Sequence, residues 1–203
     1  MTCPICNGVG SIAGYQPQTM SHYSNRCDRC LGTGTAMIGY SYGGIGSRDT
    51  PIGVAREMEL IASLLASRGF VLRSGRGKRR TPPTPDTDSA DLAFERGCDL
   101  VNGRKVIRPY GGSDAAMAHA SMFHPNWAAC DDHARGLHAR NSLIMLSDWL
   151  DDPVRFVVCW TKDGKIAGGT GQALRIATSM AIPVFNLAVT PASSLWSWLD
   201  GRQ

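Results

Sequence analysis

Two apolar runs, "VRFVVCW" at 154–160 and "IPVFNLA" at 182–188, constrain the fold most. Neither alternates polar with apolar residues, so neither suits a strand with one wet face. Near-continuous apolar strands are buried on both faces, the situation of a parallel sheet covered by helices on each side. The rest of the chain has the matching punctuation. "AMIGYSY", "FVLR" and "KVIRPY" read as further strands. Val54, Met58, Ile61 and Leu65 line one helical face, with Thr50 as N-cap, Pro51 at the first helical position and Gly69 as the stop. "SADLAFERG" reads as a short helix between a Ser89 cap and a Gly97 stop, residues 111–150 as helical or irregular, and "SSLWSWL" as a tail helix.

Strands alternating with helices predict an α/β chain with a doubly wound, mostly parallel, Rossmann-like sheet. Such sheets bind ligands beyond the carboxyl ends of their strands, where strand order reverses. Three loops belong there: "GGIGSRD", with Gly44, Gly46, Ser47 and Arg48; "RSG", with Ser74 and Gly75; and "GGTGQ", with Gly168, Gly169, Thr170, Gly171 and Gln172. The last follows an apolar strand and opens a helix, an arrangement suited to phosphate on backbone N–H groups.

The first 35 residues are different in kind. "CPICNGVG" and "CDRCLGTG" repeat CxxCxGxG around a polar insert. Each pair presents two sulfurs to one metal, so Cys3, Cys6, Cys27 and Cys30 predict one structural zinc in a closed four-sulfur site. The motif resembles half of the zinc-binding region of J-domain chaperones; two copies in place of four imply one zinc and no chaperone function. The expected domains are a zinc ribbon at 1–35 and a ligand-binding domain at 36–203.

The remaining thiols, Cys98, Cys130 and Cys159, read as small buried residues. His119, His124, His133 and His138 lie near Cys130 in sequence, but their spacings match no ligand pattern, and they read as surface or core histidines. Residues 76–88, "RGKRRTPPTPDTD", read as a mobile insertion, with Arg73, Arg76, Lys78, Arg79 and Arg80 concentrating positive charge.

Bulk composition excludes more than it proves. Lys and Arg number 21 against 17 Asp and Glu, a formal charge of +4 that falls to about +2 with a zinc thiolate site. That makes no global case for nucleic-acid binding. No stretch approaches the roughly 20 apolar residues of a membrane span. The opening "MTCPICNG" lacks the pattern of a signal peptide. Paired CxxC spacing in a chain with 7 cysteines suits a reducing, cytoplasmic setting.

"ARNSLIM", an apolar strand and then "GGTGQALR" together resemble the LOG family of nucleotide phosphoribohydrolases. With "GGIGSRDTP", "LRSG" and "SADLAFERG", residues 40–188 resemble the wider SLOG superfamily, and most of all its uncharacterised bacteriophage members. The resemblance implies a Rossmann-like domain that binds a nucleotide or a nucleotide-derived ligand, in the host cytoplasm if phage-encoded, and a homodimer as among LOG relatives. It places Arg140 on the LOG arginine, with Asn141 beside it, and Gly168, Gly169 and Gly171 on the phosphate-loop glycines. Gln172 stands where LOG enzymes have Thr, and Arg175 where they have the catalytic Glu. A guanidinium cannot serve as an acid–base group near neutral pH. Binding is therefore the leading expectation, with Arg175 adding charge for a phosphate.

Two rivals remain. Asp91 and Glu95, at i and i+4 on one helical face, could bind the hydroxyls of a ribose, or serve with Arg140 as general acid and base in a nucleotide-processing enzyme. Alternatively, ribbon and basic loop could contact single-stranded DNA, although no aromatic residues interleave the basic run.

Overall fold

The computed structural model describes residues 11–16, 21–26, 40–77 and 84–201. The chain divides into two units, 1–39 and 40–203. In the first, strands β1 (Ser11–Gln16) and β2 (Ser21–Arg26) form an antiparallel pair, Ser11 opposite Arg26 and Gln16 opposite Ser21. Cys3, Cys6, Cys27 and Cys30 lie outside the described residues.

The second unit runs β3 (Ser41–Gly46), β4 (Thr50–Pro51), α1 (Ile52–Ser67), β5 (Val71–Ser74), β6 (Thr87–Asp88), α2 (Ala90–Leu100) and β7 (Lys105–Ile107). There follow α3 (Asp114–Phe123), α4 (Asp132–Leu146), β8 (Val157–Trp160), α5 (Gly168–Ser179), β9 (Val184–Asn186) and α6 (Ala192–Asp200). Five strands form one sheet in the order β7-β5-β3-β8-β9, every neighbouring pair parallel. In order of appearance that is 3-2-1-4-5, the Rossmann order, with its reversal between β3 and β8.

Both faces are covered, as the apolar strands require. On one, Tyr42, Leu72, Phe156 and Phe185 pack with Met58, Ile61 and Leu65 of α1, Phe94 of α2 and Leu195 and Leu199 of α6. On the other, Ile45, Val157 and Cys159 pack with Ile144, Met145 and Leu146 of α4 and Leu174 and Ile176 of α5. Helix α3 lies on α4 through Ala116, Ala139 and Leu143.

Several local expectations shift. The first strand runs through its glycines, Ser41–Gly46, so Gly44 and Gly46 are sheet residues and not loop residues. A Cβ on Gly44 would come within 2.5 Å of Leu72 and 2.8 Å of Phe94, and one on Gly46 within 2.6 Å of Ala90. These glycines let α2 approach the sheet. Thr50 and Pro51 form a short ladder with Thr87 and Asp88, so α1 starts at Ile52 with Pro51 in the cap position. That ladder also removes residues 87–88 from the supposed mobile insertion, and Asp88 is buried. Gly97 does not stop α2; a Cβ there would meet the Glu59 carbonyl at 2.0 Å, so it is a point of close α1–α2 contact. Gly69, at φ +85°, ends α1 as expected.

Candidate ligand site at the strand reversal

At the end of β3, Gly46 pairs with Trp160 of β8, and the two chains diverge. Ser47 closes the corner: its N–H donates to the Trp160 carbonyl (3.2 Å), and its carbonyl accepts the Ala90 N–H (3.0 Å). Its Oγ accepts the Asp49 N–H at 3.0 Å, which shapes the turn that presents exposed Arg48.

Beyond β8, the chain enters α5 through Ala167, Gly168, Gly169 and Thr170. No side chain caps this helix. Gly168 and Gly169 are exposed, and a Cβ on either would meet nothing within 4 Å. Gly168 has φ +62°, a conformation that favours glycine. A Cβ on Gly171 would lie 2.7 Å from the Ile166 backbone, so this third glycine seats the helix against its own entry loop. The first N–H groups of a helix lack intrahelical acceptors and carry the positive end of its dipole.

Helix α4 ties the loops together. Asn141 Nδ2 donates to the Gly169 carbonyl and to Gln172 Oε1, both at 3.0 Å. Arg140 Nη1 donates to the carbonyls of Gly75 (2.6 Å) and Pro109 (3.0 Å), joining the ends of β5 and β7. Gly75 permits this, because a Cβ there would lie 2.6 Å from the guanidinium carbon. Arg140 Nη2 stands 3.9 Å from the buried Asp91 carboxylate. Asp91 accepts the Gly77 N–H at 2.7 Å and also the Gly46 N–H. Burial nonetheless raises its pKa, against the opposing pull of Arg140 and those two donors. Burial lowers the Arg140 pKa, Asp91 raises it, and nearby Arg48 lowers it further.

The structure thus brings together Arg48, Gly75, Asp91, Arg140, Asn141, Gly169 and Gln172 from separate segments. Other expected residues are committed elsewhere. Ser74 Oγ donates to the Gly44 carbonyl across the sheet at 2.6 Å. Glu95 is paired with Arg76 at 2.5 Å, with Lys105 at 3.8 Å, which ties it away from Asp91. Arg73 is buried against Asp152 at 2.5 Å and Arg76 is held by Glu95, so neither adds free charge to the site. Lys78, Arg79 and Arg80 lie outside the described residues. Arg175 folds back over the first turn of α5, its Nε donating to the Phe123 carbonyl at 2.6 Å. That hydrogen bond ties Arg175 to the end of α3, with Nη1 beside Gly171 in the first turn of α5.

One grouping escaped the sequence. His124, Cys130 and His138 offer ligand atoms all within 4.8 Å of one another. They come from the end of α3, the connection to α4 and α4 itself, so intervals of 6 and 8 residues hid the contact. Cys130 is only half-buried, unlike Cys98 and Cys159, whose thiols burial pushes up to about 11 and about 12. Among the described residues, no helix is long and apolar enough to cross a membrane. Comparison with protein-family models, curated proteins and solved structures gives no match.

Proposed function

We propose that the second unit binds a nucleotide or nucleotide-derived ligand, its anionic group against the α5 N-terminus. The observation that carries this reading is a coincidence of place. The uncapped, glycine-opened helix α5 follows β8, one of the two strands flanking the sheet's reversal, and its entry is braced by Asn141. Arg48 and Arg140 give the same region two guanidinium groups against one buried carboxylate. An anion with phosphate-like charge complements that excess.

Binding is favoured over chemistry because the acids are already engaged. Asp91 supports two backbone N–H groups, and Glu95 is neutralised by Arg76 and Lys105. In the N-terminal unit the four-cysteine spacing supports one structural zinc.

The test is titration of the full chain with nucleoside mono- and diphosphates, cyclic nucleotides and ADP-ribose, alongside Gly169→Asp. The new side chain has room, and an acid in the first turn of a helix favours folding. It would also place a negative charge where phosphate is proposed to sit, and at 4 Å with an effective dielectric near 20 the repulsion is about 4 kcal/mol. Affinity should fall at least tenfold with the melting temperature held. No binding by any member of the panel, or equal binding by the variant, would overturn the reading.

A further inference from the structure

We propose that His124, Cys130 and His138 form a binding site for a zinc-class divalent cation, separate from the four-cysteine unit. Two imidazoles and a thiolate are the donors that borderline-soft ions choose over Mg²⁺ or Ca²⁺.

The spacing is close to what such an ion needs. With Zn–S near 2.3 Å and Zn–N near 2.0–2.1 Å, a tetrahedral site has an S···N edge of about 3.6 Å. Cys130 Sγ lies 3.6 Å from His124 Nδ1 and 3.7 Å from Nε2. The His124 and His138 rings lie 4.4 Å apart between centroids. Rotation of half-buried His124 and Cys130 is the motion available to draw the set, all within 4.8 Å, onto one ion.

His138 supplies an independent sign. It is 8% exposed and its ring interacts with the Gln172 side chain, yet neither its Nδ1 nor Gln172 Nε2 meets strict hydrogen-bond geometry with any partner among the described residues. A buried ring nitrogen with so weak a partner can be taken up by an ion without loss of a well-formed hydrogen bond. Burial, then His124, Arg175 and Arg140, lowers the His138 pKa, with Gln172 opposing. Three protein donors also leave a fourth position open, where the four-cysteine set would be closed.

The experiment uses the full chain loaded with Zn²⁺ and desalted, with metal counted by mass spectrometry. Wild type should carry one more zinc per chain than Cys130→Ser, and one more than His124→Gln. Both replaced residues are only half-buried, so far-UV circular dichroism should be unchanged. The site itself is isolated in a background with Cys3, Cys6, Cys27 and Cys30 all replaced by Ser. There, Co²⁺ should give tetrahedral d–d bands and one thiolate-to-metal band, the latter absent after Cys130→Ser. Millimolar Mg²⁺ should not displace it, and His124→Gln should weaken Zn²⁺ by at least about 100-fold, more than losses of outer supporting contacts produce. If Cys130→Ser fails to fold, the His124→Gln count decides. Equal counts in wild type and His124→Gln, or an octahedral Co²⁺ spectrum, would overturn the proposal.

Discussion

Arg140 should prove to be a structural brace of the ligand site even when no ligand is bound. The substitution to make is Arg140→Met, which keeps the aliphatic stem and removes the guanidinium. Three interactions go with it: hydrogen bonds to the Gly75 and Pro109 carbonyls at 2.6 and 3.0 Å, and the contact with Asp91 at 3.9 Å. At that separation and an effective dielectric near 20, the ion pair is a gross attraction of about 4 kcal/mol. Desolvation of both groups offsets part of it. Each charge-assisted hydrogen bond contributes about 1.5–3 kcal/mol. Removing one partner also leaves Asp91 buried and uncompensated, so the net loss should be about 3–5 kcal/mol, as for other broken buried pairs. The assay is urea denaturation at pH 7 of wild type, Arg140→Met, Asp91→Asn and the double variant. The double variant should be more stable than the sum of the single losses predicts by about 1–3 kcal/mol, because the groups share a contact. An Arg140→Met midpoint unchanged within error, or strict additivity, would refute the reasoning. Arg140 would then be a free hand for ligand and not a brace.

Gly44→Ala should lose about 1–3 kcal/mol, because its Cβ would strike Leu72 and Phe94 in a filled core. Gly53→Ala, where a Cβ meets nothing within 4 Å, should be neutral or stabilising by about 0.4–1 kcal/mol in the same urea series. Equal effects at the two positions would contradict the packing argument. A pH dependence follows from Asp91, whose pKa burial raises against Arg140 and its backbone donors. A raised carboxyl contributes favourably below its unfolded pKa, and that contribution is lost as pH rises through the folded value. Wild type should therefore lose stability relative to Asp91→Asn as pH rises above the ordinary Asp value of about 4; a flat or opposite difference in urea unfolding would reverse the assignment.

The sheet was legible because periodicity and burial are local. A strand covered on both faces must be apolar throughout, and Val157–Trp160 and Val184–Asn186 carry that mark in sequence. The glycines of β3 were misread for a physical reason. A glycine that turns the chain and a glycine that admits a neighbouring helix leave the same letter, and only the Leu72 and Phe94 side chains distinguish them. Thr50, Pro51 and Gly97 misled likewise, since a cap and a stop are local inferences that the Thr87–Asp88 ladder and the Glu59 backbone override.

The candidate site divides along the same line. Its glycine loop shows in sequence as a short run. Asp91, Arg140 and Asn141 are candidates in sequence too, but their contacts are not legible there, because they meet through side chains whose directions depend on the packed helices. Charge counting was least reliable: Arg73 and Arg76 read as a basic patch, yet each has its own carboxylate.

Helix α4 explains why polar and apolar chemistry are so closely joined here. Its middle carries His138, Asn141 and Ser142, all buried, and its last turn carries Leu143, Ile144, Met145 and Leu146, also buried. A helix lying wholly on the sheet would have no use for the first group, since buried polar atoms need partners. One extending past the strand ends does. Arg140 and Asn141 take theirs from the loops after β5, β7 and β8, Ser142 takes His119 of α3 at 3.0 Å, and the leucine-rich turn packs on the sheet. On this account His138 is held less firmly than Asn141 and Ser142: Gln172 is the side chain that interacts with its ring, and its Nδ1 meets strict hydrogen-bond geometry with no partner among the described residues. The same packing that gives Asn141 its carbonyl holds the His138 ring 4.4 Å from that of His124. Loading with Zn²⁺ should therefore raise the melting temperature of wild type more than that of His124→Gln, as mass action requires of an ion that binds the folded chain alone.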